Sequence, residues 1–198
     1  MSPRRTQAER RETTRGALIA AGRELFARRG YDAVGTEELV VAAGVTRGAL
    51  YHHFDGKRGL FDAVFEEVER ELVGRFSFEE LTGADPFSAL AGGIDQFLDI
   101  SLNVEVQRIT LLDGPAVLGW ERWHELEARY GLGLIEAGLS AAIEAGQLRD
   151  LPVAELATAL LGALIEAALL VARAEDGAAA RKRAGRVLRG LLEGLRTG

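Results

Sequence analysis

Apolar residues recur at the period of an α-helix along nearly the whole chain. Between about Gln7 and Arg29, Leu18, Ala21, Gly22, Leu25 and Phe26 follow the i, i+3, i+4, i+7, i+8 spacing of one buried face. Arg28, Arg29 and Gly30 end that helix, with cations at its negative end and glycine just past it. Residues 1–8 read as a disordered basic arm. A second helix is predicted over 36–43, capped by Gly35 or Thr36 and carrying Glu37 and Glu38 at its positive end. Gly44 makes a turn, and Thr46 caps a third helix over 47–53. A fourth helix starts after Asp55-Gly56 and runs to about Phe76, with Phe61, Val64, Phe65, Val68 and Leu72 as its stripe. At roughly 1.5 Å per residue it spans about 30 Å, enough to link the first unit mechanically to the remainder of the chain.

Thr82-Gly83-Ala84-Asp85 reads as a loop, and Asp85-Pro86 opens a fifth helix with a cap and a proline, running to about Leu102. A short helix is predicted over 104–112, closed by Asp113-Gly114-Pro115. Longer helices follow over 117–145, 153–174 and 178–196, separated at Gly146 and at Asp176-Gly177. No strand, repeat or low-complexity linker is predicted. The fold class is all-α with about nine helices. An N-terminal three-helix helix-turn-helix domain (residues 1–56) is joined by the long fourth helix to a C-terminal helical domain (residues 57–198).

Composition narrows the chemistry. Of 198 residues, 47% are hydrophobic and 27% charged, which predicts an ordinary globular core. The chain has no cysteine, so disulfides, thiolate metal sites and cysteine catalysis are excluded together. The N-terminus is polar and basic and lacks the apolar core of a signal peptide. The longest apolar run, near 156–172, is broken by Glu166 and predicts a buried helix rather than a membrane span. These features predict a cytoplasmic protein with no membrane partner. Net charge is −6, yet residues 1–60 carry a net +4 and residues 61–198 a net −10. The first third can approach phosphates while the remainder is repelled from them.

Residues 36–61, TEELVVAAGVTRGALYHHFDGKRGLF, hold the most specific pattern. A short helix with small residues at its start and basic and aromatic residues along it suits a DNA major groove. Thr46 can cap that helix and offer its hydroxyl to a phosphate. Arg47 is placed for bidentate contact to guanine O6 and N7, Gly48 and Ala49 permit close approach, and Ala49 can touch a thymine methyl. Tyr51 suits a phosphate and His52 a base edge or phosphate. Lys57, at a helix N-terminus, suits a phosphate.

The segment resembles the DNA-binding signature of the tetracycline-repressor (TetR) family. The resemblance rests on Ala43-Gly44-Val45, Thr46-Arg47-Gly48-Ala49-Leu50-Tyr51-His52-His53-Phe54, Lys57 and Leu60-Phe61, with LFARRGYDAV ahead of them. It covers roughly residues 10–65. Two positions depart from the family pattern. Gly35 stands where Thr or Ser is usual, so Thr36 or the Gly35 amide is expected to take over the cap and phosphate contact. Val40 stands where Ala is usual and is expected to set helices two and three slightly apart. The resemblance implies a homodimeric, ligand-responsive repressor bound to a pseudo-palindromic double-stranded DNA operator. It further implies a small-molecule pocket enclosed by helices four to seven and a four-helix dimer interface from the last two.

The body supplies its own candidates. Phe97, Ser101, Arg108, Trp120, Trp123, His124 and Glu166 are polar or aromatic residues set among apolar ones, as a ligand site requires. Each also suits a core or ion-pair role. The helix over 153–174 is apolar almost all round and so needs cover on every side, which predicts a partner subunit through Leu160, Leu164, Leu188, Leu191 and Leu195. Three histidines and no cysteine give no metal-ligand set, and no nucleophile–base spacing or cofactor loop stands out, so no metal, no cofactor and no enzyme activity are expected. Two readings stand beside the regulator. One is a helical small-molecule-binding protein whose helix-turn-helix is only structural. The other is an enzyme built on a helical bundle.

Overall fold

The computed structural model describes residues 6–76 and 85–197, and among these every regular element is a helix; the only β pairing is an isolated bridge, Leu148 to Arg196. Helix α1, Gln7–Arg29, begins with a reciprocal cap. The Thr6 hydroxyl accepts from Glu9 N–H at 3.2 Å, and the Glu9 carboxylate accepts from Thr6 N–H at 2.7 Å. Thr6, Gln7 and Ala8 therefore belong to a capped helix rather than to the expected disordered arm, whose residues 1–5 lie outside the described residues. Gly30, at φ 79°, ends α1.

Helix α2, Thr36–Ala42, and α3, Arg47–His53, are joined by a Schellman turn. Gly44 takes φ 66°, its N–H donates to Val41 O, and Val45 N–H donates to Val40 O at 3.0 Å. A Cβ at this φ would be strained. Helix α4, Gly56–Arg75, crosses α1 along Leu60, Phe61, Val64, Phe65 and Val68, all buried. Edge-to-face rings seal the seam, with Phe61 5.3 Å from Phe26 and 5.2 Å from Tyr31.

Helix α5, Pro86–Ile100, is capped by Asp85, whose carboxylate accepts from Ser88 N–H at 3.2 Å. The loop expected at Thr82-Gly83-Ala84 lies outside the described residues. The next rod, α6, is composite: an α-helical turn Val104–Val106, a π-helical stretch Gln107–Asp113, and an α-helical stretch Gly114–Leu118. Helices α7 (Trp120–Glu144), α8 (Val153–Arg173) and α9 (Gly177–Glu193) complete the body. Helix α8 is long and apolar enough to cross a membrane by length and composition. It packs against α5, α6, α7 and α9 and buries Ala157, Leu161, Leu164, Ile165 and Ala168.

The chief departure from expectation is α6. Asp113-Gly114-Pro115 predicts a stop, yet the rod runs through to Leu118 and ends at Gly119, φ 82°. Proline falls at the start of the second α-helical stretch, where its missing N–H is tolerated. In the π-helical pattern its absent proton would have faced Thr110 O; that carbonyl accepts the Trp123 indole N–H at 3.0 Å. Gly114 makes the crossing possible, because a Cβ there would lie 2.8 Å from Phe65 Cε2 and 3.1 Å from Trp123 Cδ1. Gly114→Ala is therefore expected to destabilise the protein by about 1–3 kcal/mol. Thermal unfolding would show this as a Tm decrease of about 2–4 °C per kcal/mol; an unchanged Tm would refute the close packing.

Candidate nucleic-acid interface and buried cavity

The outward face of α3 is held from below. Leu50 is fully buried and Phe54 nearly so, and Thr46 accepts from Ala49 N–H at 3.2 Å. Arg47, Gly48, Tyr51 and His52 are exposed, and Ala49 is half-buried. The Arg47 guanidinium meets Glu37 Oε1 at 3.1 Å and lies 5.7 Å from the Tyr51 ring centre. Arg47 and Glu37 side chains are 62% and 70% exposed, so solvent screens the pair and it is easily exchanged. At the α2 start, Gly35 is the cap residue and its N–H donates to Glu38 Oε2 at 3.0 Å. Thr36 is the first helical residue and half-buried. Val40 is buried against the unit's core.

Two features of this face are not apparent from the sequence pattern. Arg10 and Arg11 of α1 line a surface groove with His52 and His53, joining the start of α1 to the end of α3. Burial, then the neighbouring His52 and Arg11, hold the His53 imidazole below its usual range. Lys57 also behaves differently. Its ammonium donates to Tyr31 O and Val34 O, both at 3.0 Å, and lies 3.9 Å from the Tyr31 ring centre. It clamps the α1–α2 connection from inside, where its position at a helix N-terminus suggests an outward phosphate ligand.

Polar contacts also tie α1 and the start of α4 to α6. Asp113 Oδ2 accepts from Tyr31 N–H at 2.7 Å. Arg58 donates to Val117 O at 3.0 Å and Leu118 O at 2.8 Å. Arg23 of α1 pairs with Glu71 of α4 and Glu105 of α6, each at 2.7 Å. The Glu105 and Glu71 hydrogen bonds keep the Arg23 guanidinium charged.

The body encloses a cavity of about 380 Å³ among α4, α5, α6, α7 and α8, within the size range of small-molecule sites. Its wall is mostly apolar, including Leu72, Ile94, Val106, Leu161 and Leu164. Of the expected ligand residues, Phe97 and Ser101 line it. Arg108 is exposed near Gly30 at the junction between the two units. Trp123 is fully buried behind Thr110, and Trp120 is 64% exposed, stacked on His124 at 5.5 Å. Glu166 faces outward on α8. The shared helix face of Trp120, Trp123 and His124 is real, but it packs on α6 and solvent rather than on the cavity.

In their place the cavity holds two carboxyls, Glu69 from α4 and Glu127 from α7, 7% and 6% exposed. Glu127 Oε1 is buried with no hydrogen-bond partner. Burial pushes the Glu69 carboxyl up to about 7. Burial first, then the nearby Glu69, pushes Glu127 well above the carboxylate range. The sequence did carry a signal: Glu69 sits four residues after Phe65 and three before Leu72, within the apolar stripe, and Glu127 sits four after Trp123.

The residues expected at a partner face divide between the interior and the outer surfaces of α8 and α9. Leu160 and Leu164 line the cavity and Leu188 is buried in the core, whereas Leu191 is 57% exposed and Leu195 half-buried. Leu170, at 66% exposure, and Val187, at 63%, join Leu191 as the large apolar side chains these helices leave uncovered.

The chain matches two family descriptions: "Bacterial regulatory proteins, tetR family" over residues 18–64 and "Tetracyclin repressor-like, C-terminal domain" over residues 87–195. A TetR-family transcriptional regulator from Pectobacterium atrosepticum is 34% identical with a TM-score of 0.86, covering 98% of this chain and 99% of that one. RolR in complex with resorcinol shares the fold at 24% identity and a TM-score of 0.74, covering 96% and 90%. The transposon Tn10 TetC protein of Escherichia coli is 27% identical over 75% of each chain. The transcriptional regulator AcrR of Shigella flexneri is 33% identical over 54% of this chain and half of its own length.

The raised carboxyls give a pH dependence with a definite sign. A carboxyl whose folded pKa exceeds its unfolded value supports the fold at low pH, and that support is lost as pH rises through the folded pKa. The melting temperature is therefore expected to fall from about pH 5 to about pH 8, and Glu69→Gln to flatten the slope. A Tm rising through that window in the wild type would contradict the burial of uncompensated acids.

Proposed function

The chain belongs to the tetracycline-repressor family of DNA-binding transcriptional regulators, and on that footing we propose that it is a cytoplasmic, non-enzymatic repressor that binds a pseudo-palindromic operator as a homodimer and is released by a small molecule. The observation that carries this reading is the exposed face of α3, where Arg47, Tyr51 and His52 project from a short helix anchored by Leu50 and Phe54. In this reading residues 1–56 read the operator, and residues 57–198 bind the effector and the second copy. Arg47 contacts a guanine edge; Thr36, Thr46, Tyr51 and His52 contact phosphates or base edges; Gly48 and Ala49 lie close to the groove floor. Lys57 contributes by holding the connection ahead of α2. Leu170, Val187 and Leu191 supply the apolar centre of the dimer face. Two recognition helices then address successive grooves about 34–36 Å apart.

The effector enters the cavity, as the resorcinol complex of RolR makes reasonable for this fold. Thr110 and Asp113 belong to the same π-helical stretch; the first lines the cavity and the second holds Tyr31 N–H. A ligand that favours a different position of α6 would shift the end of α1 and the spacing of the two reading heads. It does so only by binding the two arrangements with different affinity.

Gel-shift and anisotropy titrations on a selected palindrome test the reading. Arg47→Ala is expected to weaken operator binding by about 1–3 kcal/mol and to relax one base position. Lys57→Ala is expected to lower both Tm and affinity while leaving the salt slope unchanged, whereas loss of a direct phosphate contact would reduce that slope by about one. Asp113→Ala is expected to weaken the ligand-free operator complex. Binding that ignores sequence, or a stoichiometry of one chain per palindrome, would overturn the proposal.

A further inference from the structure

Two carboxyls in an apolar cavity are costly. Acidic side chains are seldom fully buried without a partner, and removing a charge from water without a counter-ion is strongly unfavourable. Hydroxyl or amide side chains would serve a neutral hydrogen-bonding ligand without that cost, and an anionic ligand would be repelled. Among the described residues, Glu69, Glu127 and Tyr130 are the titratable groups on the cavity wall; α5, α6 and α8 contribute none, and no Lys, Arg or His lines it. Glu127 Oε1 lies buried in this wall with no partner.

We infer that the cavity takes a lipophilic organic cation, whose hydrocarbon part fills the apolar wall and whose positive head sits between Glu69 and Glu127. The inference rests on the reading that this cavity is the effector site, and names the class of effector. A permanent cation supplies the charge that the site lacks. Without ligand, burial favours the protonated form of both carboxyls. A cation favours their ionised forms, so binding expels protons into solvent and grows tighter as pH rises.

Three probes with ten-carbon chains and different head charge test this on the full-length protein by calorimetry: decyltrimethylammonium, decanol and decanoate. Decyltrimethylammonium keeps its charge at every pH used. It is expected to bind at least about tenfold more tightly than decanol at pH 8, the advantage equivalent to one pKa unit of differential interaction. That advantage is expected to shrink towards pH 6, and decanoate to bind most weakly. Glu127→Gln and Glu69→Gln are expected to lose the cation's advantage while keeping decanol affinity and a cooperative melt. Decanol or decanoate binding as tightly as the cation would overturn the charge assignment while leaving the cavity as an effector site. Cation binding that ignores both substitutions would do the same. Failure of all three probes to bind would overturn the cation inference and count against the effector reading itself. Operator release, followed separately by anisotropy, then distinguishes occupancy of the cavity from regulation through it.

Discussion

The hydrogen bond from the Trp123 indole to the Thr110 carbonyl, across the gap left by Gly114, is the contact on which the rest of the molecule depends. It lets α6 carry a proline through its middle without breaking. A rod that stopped at Asp113 would not deliver the Val117 and Leu118 carbonyls to Arg58, nor hold Asp113 under Tyr31. The same rod presents Val106, Thr110 and Leu111 to the cavity. One stretch of widened helix thus touches both the cavity and the end of α1. π-Helical turns are rare and are often found at functional sites, and here the local geometry supplies the reason.

The cavity and the helix-turn-helix unit place opposite demands on the chain. Leu50 and Phe54 anchor α3 in an apolar core, as a helix that must match a groove requires. Around Glu69 and Glu127 the body gives up stability by burying acids at neutral pH. A protein that must respond to a ligand benefits from a site that is unsatisfied until the ligand arrives. Most of the strong ion pairs lie between these regions or on the outer helices. Arg122 bridges Asp62 and Glu66, and Arg181 bridges Asp95 and Asp99, so the cavity is framed by polar clamps it does not share.

Much of this is legible from residue patterns, and the exceptions have physical causes. The apolar stripe of α4, the Gly44 turn and the Thr46 cap follow from local chemistry, and each stands where the spacing places it. The continuity of α6 is not legible, because Asp-Gly-Pro normally ends a helix; only a tertiary partner, Trp123, changes the outcome. Lys57 cannot be assigned from position, since an ammonium at a helix N-terminus serves a phosphate or a carbonyl equally well. The cavity acids are hidden because a glutamate in a Glu-rich helix looks solvated, while Arg108, Trp120, Trp123, His124 and Glu166 stand out as the unusual residues of the body. Placing a stripe around Glu69 rather than skipping over it exposes the anomaly. Leu160, Leu164 and Leu188 show a further limit: apolar residues in a two-sided helix are divided between its own core and the outside, and spacing alone does not say which.

The pairing of Arg47 with Glu37 has a consequence for the proposed reading of DNA by α3. A carboxylate already occupies the guanidinium in the free protein, so any anion that takes its place must first displace it. A lone phosphate offers about the same charge and gains little by the exchange. A guanine edge offers two acceptors in the geometry of the guanidinium fork and gains more. In the proposed operator complex the parting of Arg47 from Glu37 is common to every duplex, so Glu37 lowers attraction to DNA in general and leaves the choice among sequences to the contacts the freed guanidinium then makes.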